Sequence, residues 1–373
     1  MRRIFFWAHF VMGLAAGVFI LLMSFTGVLL TYERQMVAAA QNAAIEAPAG
    51  ADPLSVEALA DAALAAGAAP GNTLTIQSDP AHIVTLSKGR RDTVLLDPYT
   101  GEVLEDAGEG MEAFMGRVMR IHRWLAFTGG RNDLGATVNG GANLVFGALL
   151  ISGVVLWWPR KWKWPLVKTQ LFFRRGLPNA KARHYNWHHV LAAWSFVPLF
   201  LIIISGAVFS YSWANKLVYA AFGEVPGGQG GGKGEVAAPP PELAGDILPL
   251  DPLVAQATEN FSHWRRVTIT LPEPNAATLD LSVDWGNGTQ ASKKRSVTVA
   301  RDGTGLIGVP VGDMSSPALK ARRYLRFVHT GEIYGFIGQT LAGLASIAGM
   351  VLVYTGISLA IRRLIRMRNA AKS

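Results

Sequence analysis

Four long stretches of the chain contain no Asp, Glu, Lys or Arg and are dominated by apolar residues. They cover residues 4–32, 134–159, 184–215 and 333–361. A helix of about 20 apolar residues is long enough to cross the ~30 Å hydrocarbon core of a bilayer. The pattern predicts a membrane α-helical protein, a bundle of four transmembrane helices. The first span (1–33) is longer than the apolar part of a signal peptide, so it is predicted to be an uncleaved anchor.

Two segments between these spans have a different pattern. In residues 34–110, a helical run at 56–66 precedes alternating, strand-like runs at 73–77, 83–87 and 93–96. In residues 246–315, a helix-like run at 253–261 precedes strand-like runs at 267–271, 278–283 and 296–300. Each segment is therefore predicted to be a small α+β module. The last turns are Asp97-Pro98-Tyr99-Thr100-Gly101 and Asp302-Gly303-Thr304-Gly305.

The remaining segments connect these elements. Residues 111–133 are predicted to form an amphipathic helix and a loop before span two. Residues 316–332 are predicted to form a helix that leads into span four, and 362–373 a cytoplasmic tail. Residues 160–183 form a basic loop, and 216–245 a linker rich in Gly and Pro. Gly227-x4-Gly232-Lys233-Gly234 in this linker resembles a phosphate-binding loop only superficially, because Gly replaces the required Ser or Thr and no strand precedes it.

The two halves of the chain resemble each other. In span one, Gly27 and Tyr32 follow His9 by 18 and 23 residues. In span three, Gly206 and Tyr211 follow His188 by the same two intervals. The match predicts an internal two-fold duplication.

The charge distribution predicts the orientation. The N-terminus, the 160–183 loop and the tail hold 15 of the 35 Lys and Arg and none of the 26 acidic residues. The positive-inside rule places these segments in the cytoplasm and the large loops in the periplasm of a bacterial inner membrane. The pI of about 9.8 thus indicates topology and not nucleic-acid binding. The chain has no Cys, which excludes disulfides, thiol catalysis and iron–sulfur clusters.

Predicted depth sorts the histidines. His9 and His188 lie near the cytoplasmic ends of spans one and three, and we call them the inner pair. His122 and His329 precede spans two and four on the opposite side, each on the apolar face of an amphipathic helix, and we call them the outer pair. His82 and His263 lie in the modules, where a solvated histidine is the default interpretation.

Two depth-matched histidine pairs in a helix bundle are typical of six-coordinate haem iron, so two haem b groups are predicted. His184 is the reserve inner ligand, since it shares a helix face with His188, whereas His189 is turned away and is interpreted as facing lipid or supporting a ligand. The predicted partners of the haem propionates are Arg120, Arg123, Arg326 and Arg183. Zinc, or His/Met ligation through Met12, Met115 or Met119, remains an alternative.

Several motifs of the chain resemble the PepSY-associated transmembrane family. They are Trp7-Ala8-His9, Thr26-Gly27-Val28-Leu29-Leu30, Asp97-Pro98-Tyr99-Thr100-Gly101-Glu102-Val103-Leu104, Ile121-His122-Arg123-Trp124-Leu125 and Val328-His329-Thr330-Gly331-Glu332. The resemblance implies that the two α+β modules are PepSY-like. Members of this size resemble diheme siderophore-iron reductases of the ferrioxamine type. That implies a ferric siderophore outside and a separate electron donor, either a quinol or a flavoprotein, because the chain has no dinucleotide fingerprint.

Two other functions remain open. A non-enzymatic PepSY membrane protein would act as a protease inhibitor, chaperone or regulator and would bind no haem. A metal transporter would place polar ligands at mid-membrane. The spans carry mainly Gly, Ser and Thr there, including Ser24, Thr26, Ser205 and Ser346, and these small residues are interpreted as helix-packing positions.

Overall fold

The computed structural model describes residues 1–89, 92–159, 161–227, 246–308 and 315–371. They form two compact units. One comprises Met1–Glu33, Phe114–Gly228 and Pro317–Ser373, and the other comprises Arg34–Ala113 and Gln229–Ser316. We call them the helical unit and the sheet unit.

Within the described residues, four helices are long and apolar enough to cross a membrane, with a mean hydropathy of 1.8–2.2 over their most apolar windows. They are α1 (Arg2–Leu30), α5 (Asp133–Trp157), α7 (Ala180–Ser210) and α11 (Gly335–Ala370), the last preceded by a 3-10 turn at Glu332–Tyr334. The four predicted spans are confirmed.

The helical unit also contains shorter helices. The structure has α4 (Glu109–Trp124), α6 (Trp164–Leu171), α8 (Ser212–Ala220) and α10 (Pro317–Thr330). Helices α4 and α10 correspond to the two predicted amphipathic helices, with Met115 and Ala318 buried on their apolar faces.

Several boundaries differ from the prediction. Helix α7 begins at Ala180, inside the predicted loop, and α8 covers 212–220 across the predicted end of span three. Helix α11 continues through the predicted tail to Ala370. The apolar run ends at residue 361, but the helix continues beyond it because Arg is a good helix former.

Helix contacts set the arrangement of the bundle. Both α1 and α7 pack against α5 and α11, so α1 and α7 are diagonal to each other. Small residues lie at these contacts: a Cβ added to Gly17 would approach Ile357 Cδ1 to 3.2 Å, and one added to Gly349 would approach Ser24 Oγ to 2.9 Å. Close backbone approach through small residues is the usual way that membrane helices associate.

The sheet unit contains one continuous antiparallel sheet. Its strands are β1 (Thr73–Gln77), β2 (Val84–Ser87), β3 (Thr93–Leu96), β4 (Arg266–Thr270), β5 (Thr278–Asp284), β6 (Lys294–Ala300) and β7 (Leu306–Gly308). The strand order is β3-β2-β1-β4-β5-β6-β7, and β1 pairs with β4 through the register Leu74↔Ile269. The strands of the two predicted modules therefore belong to a single sheet. The helices of this unit are α2 (Glu33–Asn42), α3 (Val56–Ala65) and α9 (Leu250–Thr258).

The shared sheet also has a shared core. Leu74, Leu86, Ile269 and Leu279 are fully buried in one cluster with residues from α3 and α9. The predicted strands and the two predicted helices are confirmed, with ends that shift by up to three residues. Helix α2 and helix α6 were not predicted. The Gly/Pro-rich part of the predicted linker, 228–245, lies outside the described residues.

Asp97 stabilises the turn that follows β3. Its buried carboxylate accepts hydrogen bonds from the backbone N–H groups of Tyr99 (2.7 Å) and Thr100 (3.1 Å). Gly101 has a φ of +73°, and an added Cβ would lie 2.9 Å from the Ala62 side chain, so only Gly fits. Asp302 makes the same kind of turn in the second segment, accepting from the Thr304 N–H at 3.0 Å.

Candidate functional site

The inner pair lies across the diagonal of the bundle. His9 on α1 and His188 on α7 have ring centroids 6.4 Å apart, with an angle of 82° between the ring planes. An imidazole nitrogen binds a first-row metal at ~2.0 Å, and the ring centroid lies about 1 Å beyond it, so two imidazoles that share one metal have centroids about 6 Å apart. The spacing of the inner pair fits such a shared metal.

A large cavity opens beside the inner pair. Its volume is about 970 Å³, and His9 and His188 both line it. Ligand pockets typically occupy about 300–1,000 Å³, so the cavity has room for a large organic cofactor. Its cationic lining residues are Arg2, Lys181, Arg362, Arg363 and Arg366.

Two further histidines of α7, His184 and His189, differ in their position relative to this cavity. His184 is buried away from it, with Nδ1 2.8 Å from Ser358 Oγ and its ring against Tyr354, and it is not a lining residue. His189 does line the cavity, with its ring centroid 4.0 Å from that of Tyr185 and tilted by 32°, and with Nδ1 2.9 Å from the Tyr185 carbonyl oxygen. The structure thus brings His188, and not His184, next to His9, and it turns His189 towards the cavity.

The outer pair lies on the two amphipathic helices, His122 on α4 and His329 on α10. Burial, and secondarily the nearby His329, lowers the pKa of His122 to about 4. Burial also lowers the pKa of His329 below its ordinary value. Both rings are therefore neutral at pH 7, which is the form in which an imidazole binds a metal.

The same contact holds all four rings. Each Nδ1 lies within hydrogen-bond distance of a Ser or Thr hydroxyl on another helix. The contacts are His9 with Ser152 (2.9 Å), His122 with Thr26 (2.8 Å), His188 with Thr355 (2.9 Å) and His329 with Ser205 (3.0 Å). Among the described residues, no hydrogen bond engages Nε2 of these rings, so this nitrogen remains the one that can bind a metal.

A glycine follows each of these hydroxyl residues and lies beside the same ring. A Cβ added at Gly206 or Gly356 would come within 3.3 Å of the Cε1 atom of His329 or His188. A Cβ added at Gly27 would lie 3.7 Å from Cε1 of His122, and one added at Gly153 would lie 3.6 Å from Cε1 of His9. The glycine makes room for the ring edge that the neighbouring hydroxyl orients.

The arrangement favours two-ligand metal binding. A tetrahedral zinc site needs at least three protein ligands, and no group of three His, Cys, Asp or Glu side chains comes together in the part of the chain that the structure describes. Paired imidazoles would instead suit a metal whose other ligands come from a cofactor.

The predicted arginines occupy different positions. Partial burial, and then the charges of Arg326 and Arg131, lower the pKa of Arg123. Arg120 has a buried Nε without a hydrogen-bond partner among the described residues. Arg183 is exposed and is not one of the residues that line the inner cavity, where Lys181 and Arg363 are found instead.

The sequence interpretation did not predict that the four hydroxyl–glycine pairs contact the histidine rings. Thr26 and Ser205 were interpreted as helix-packing positions, and Ser152 and Thr355 were not singled out. A signal was present, because each of the four spans contains one Ser-Gly or Thr-Gly dipeptide. Its meaning depends on which helix lies opposite.

One comparison with known proteins identifies relatives of the chain. A family model described as the PepSY-associated TM region matches residues 6–363. No curated protein matches the chain.

Proposed function

The chain belongs to the PepSY-associated transmembrane family, and we propose that it is a diheme b-type cytochrome that carries electrons outward across the bacterial inner membrane. Its acceptor is Fe(III) in a siderophore on the periplasmic side. His9 and His188 would hold one haem, and His122 and His329 would hold the other.

The inner pair is the observation that carries this proposal. Its 6.4 Å centroid separation suits two imidazoles that would share one iron. The 970 Å³ cavity between α1 and α7 has room for a macrocycle, and cations such as Arg2 and Arg363 line it. Haem carries two propionates, which such cations bind by charge-assisted hydrogen bonds.

The outer pair supports a second site of the same kind. Its residues are half-buried, and burial lowers the pKa of both rings, which keeps them neutral at pH 7. Arg123 and Arg326 lie on the same helices as these rings, and the charge of Arg326 is one cause of the lowered pKa of Arg123. An anionic group between two arginines would relieve this repulsion. His122 and His329 would thus hold a second haem, and Arg123 and Arg326 would bind its propionates.

Two haems at different depths suit one-electron transfer across a membrane, which is the chemistry that bound haem supplies. The four histidines would hold the haems, and cations such as Arg363 and Arg123 would bind the propionates. Reduction promotes iron release because hard oxygen ligands such as hydroxamates favour Fe(III) over Fe(II). A quinol or a flavoprotein is the donor on the cytoplasmic side, where the positive-inside rule places both termini.

An absorption spectrum of the purified protein tests the proposal first. We expect a Soret band that sharpens on reduction with dithionite, split b-type α-bands, and two haems per chain by pyridine haemochrome assay. The reduced protein in liposomes should then be reoxidised by ferrioxamine but not by the gallium complex of the same chelator. A colourless protein would favour a non-enzymatic PepSY membrane protein, and reduced haem that ferrioxamine leaves unchanged would contradict the substrate.

A further inference from the structure

We propose that Thr26, Ser152, Ser205 and Thr355 are positioning residues that fix each histidine in the tautomer able to bind iron through Nε2. The inference rests on the proposed function, because it concerns how the chain prepares its haem ligands. It assigns a role to one hydroxyl in each span.

The direction of the hydrogen bonds carries the argument. Each of these hydroxyls is also 2.6–2.7 Å from the carbonyl oxygen four residues earlier in its own helix, with partners Leu22, Ala148, Leu201 and Val351. A hydroxyl has one proton to donate, and a carbonyl can only accept. The hydroxyl oxygen therefore accepts from the ring, so the ring nitrogen Nδ1 carries the proton and Nε2 has the free lone pair.

His329 supports the same assignment independently. Its Nδ1 lies 2.9 Å from the Ile202 carbonyl oxygen as well as 3.0 Å from Ser205 Oγ. A carbonyl beside Nδ1 requires that this nitrogen be the donor. The proton is thus on Nδ1 whichever of the two acceptors is considered.

A hydroxyl bonded to its own helix is not by itself a signal, since Ser and Thr commonly bond in this way in membrane helices. Ser195 on α7 is an example: it is buried and donates to the Leu191 carbonyl at 2.6 Å. The four positioning hydroxyls differ from it because each also meets a ring of one of the two pairs. Ser358 meets His184, but Leu359 follows it and not a glycine.

The four contacts also link the two sites. Helix α1 carries His9 of the inner pair and Thr26, which holds His122 of the outer pair. Helix α7 repeats this with His188 and Ser205, and in both helices the hydroxyl follows the histidine by 17 residues. The spans that carry the inner ligands therefore orient the outer ligands.

The effect on the iron follows from the hydrogen bond. A ring that donates Nδ1–H to an acceptor is a more basic ligand at Nε2, and such supporting contacts typically contribute about 10–100-fold to metal affinity. A more basic ligand stabilises Fe(III) over Fe(II). Removing the acceptor should therefore weaken haem binding and raise the midpoint potential of that haem.

Substitutions at the inner site test the inference in the full-length purified protein. We expect Ser152→Ala and Thr355→Val to lower the affinity of the inner haem about tenfold and to raise its midpoint potential, leaving the outer haem unchanged. Ser152→Thr and Thr355→Ser retain the hydroxyl and should restore both values. Ser195→Ala is the matched control, since it removes a buried hydroxyl that meets no ring of either pair.

The outcomes separate the two proposals. If the wild-type protein has no haem, the proposed function is wrong. If the wild-type protein binds two haems, and Ser152→Ala and Thr355→Val have the haem content and potentials of Ser195→Ala, only the positioning role is wrong. Helical content by circular dichroism and the elution volume check that each variant is folded.

Discussion

The inner and outer histidine pairs share one local arrangement but lie on different kinds of helix. Both inner ligands lie on long spans, α1 and α7, whereas both outer ligands lie on short amphipathic helices, α4 and α10. In each case a Ser or Thr holds Nδ1 and the next residue is Gly. The contact is thus independent of the element that carries the ligand, because it needs only a hydroxyl and a gap on the helix opposite.

The surroundings of the two pairs differ. The inner pair lines a cavity with five cationic residues from several segments, whereas Arg123 and Arg326 beside the outer pair come from the same helices as its ligands. One site can therefore be altered without touching the other. The following predictions use that separation, and all of them rest on the proposed haem ligation.

Loss of a ligand should have the largest effect. We expect His188→Ala to abolish the inner haem and His329→Ala to abolish the outer one, so that each variant keeps about one haem per chain. Each should also lose a different component of the reduced α-band. Haem quantification and low-temperature absorption spectra measure both results.

His184→Ala is the matched control for the inner site. His184 is on the same helix as His188 but bonds to Ser358 and does not line the cavity. Two haems should remain in this variant. If His184→Ala lost the inner haem and His188→Ala kept it, the assignment of the inner ligand would be reversed.

Alanine at the four glycines should have a smaller, graded effect. An added Cβ would lie 3.3 Å from the ring at Gly206 and Gly356, but 3.6–3.7 Å at Gly153 and Gly27. The closer distance forces the ring to shift, whereas the longer one is an ordinary contact. We expect Gly356→Ala to lose more inner haem than Gly153→Ala, and Gly206→Ala more outer haem than Gly27→Ala. Equal haem content within each of these pairs would show that ring clearance does not limit binding.

Removing a positive charge should shift the potential of one site only. Arg123→Gln takes a cation from beside the outer pair, which stabilises the more positive, oxidised iron. We expect the outer midpoint potential to fall by up to about 60 mV, equivalent to a tenfold change in a one-electron equilibrium. A redox titration that resolves both haems measures this shift. If the midpoint potential of the inner haem fell instead, the assignment of the two sites would be reversed.

The sequence predicted the spans and the strands because both have strong local patterns. Runs without charge give the helices, and alternation gives strands such as β1 and β3 to the residue. It also paired His9 with His188, whose ring centroids lie 6.4 Å apart, because the two residues have matched offsets in spans one and three. The membrane depth of the two pairs stays a prediction. The sequence did not predict that β1 and β4 pair, since Leu74 and Ile269 are far apart in the chain and edge pairing has no local signal.

The hydroxyl partners were missed for a related reason. Thr26 and Ser205 have the composition of packing residues, and the local sequence does not show which ring lies opposite. That depends on how α4 and α10 return against the bundle, which is a tertiary property. The glycine after each hydroxyl was equally visible in the sequence, but it acquires a function only when the ring beside it is known.

The smallest effect is expected at the cations of the inner cavity, where the sequence favoured Arg183 as a propionate partner. Arg183 does not line the cavity, whereas Arg363 does, and the Arg363 guanidinium lies 4.5 Å from the Phe6 ring centroid. We expect Arg363→Gln to lower the inner potential slightly and Arg183→Gln to leave it unchanged. Arg363→Lys keeps the charge but not the planar group that stacks on Phe6, so it should retain the potential and lose some haem. Redox titration and haem content of the three variants then separate charge from geometry. An effect of Arg183→Gln equal to that of Arg363→Gln would mean that the net charge around the inner haem, and not its contact with the cavity wall, sets the potential.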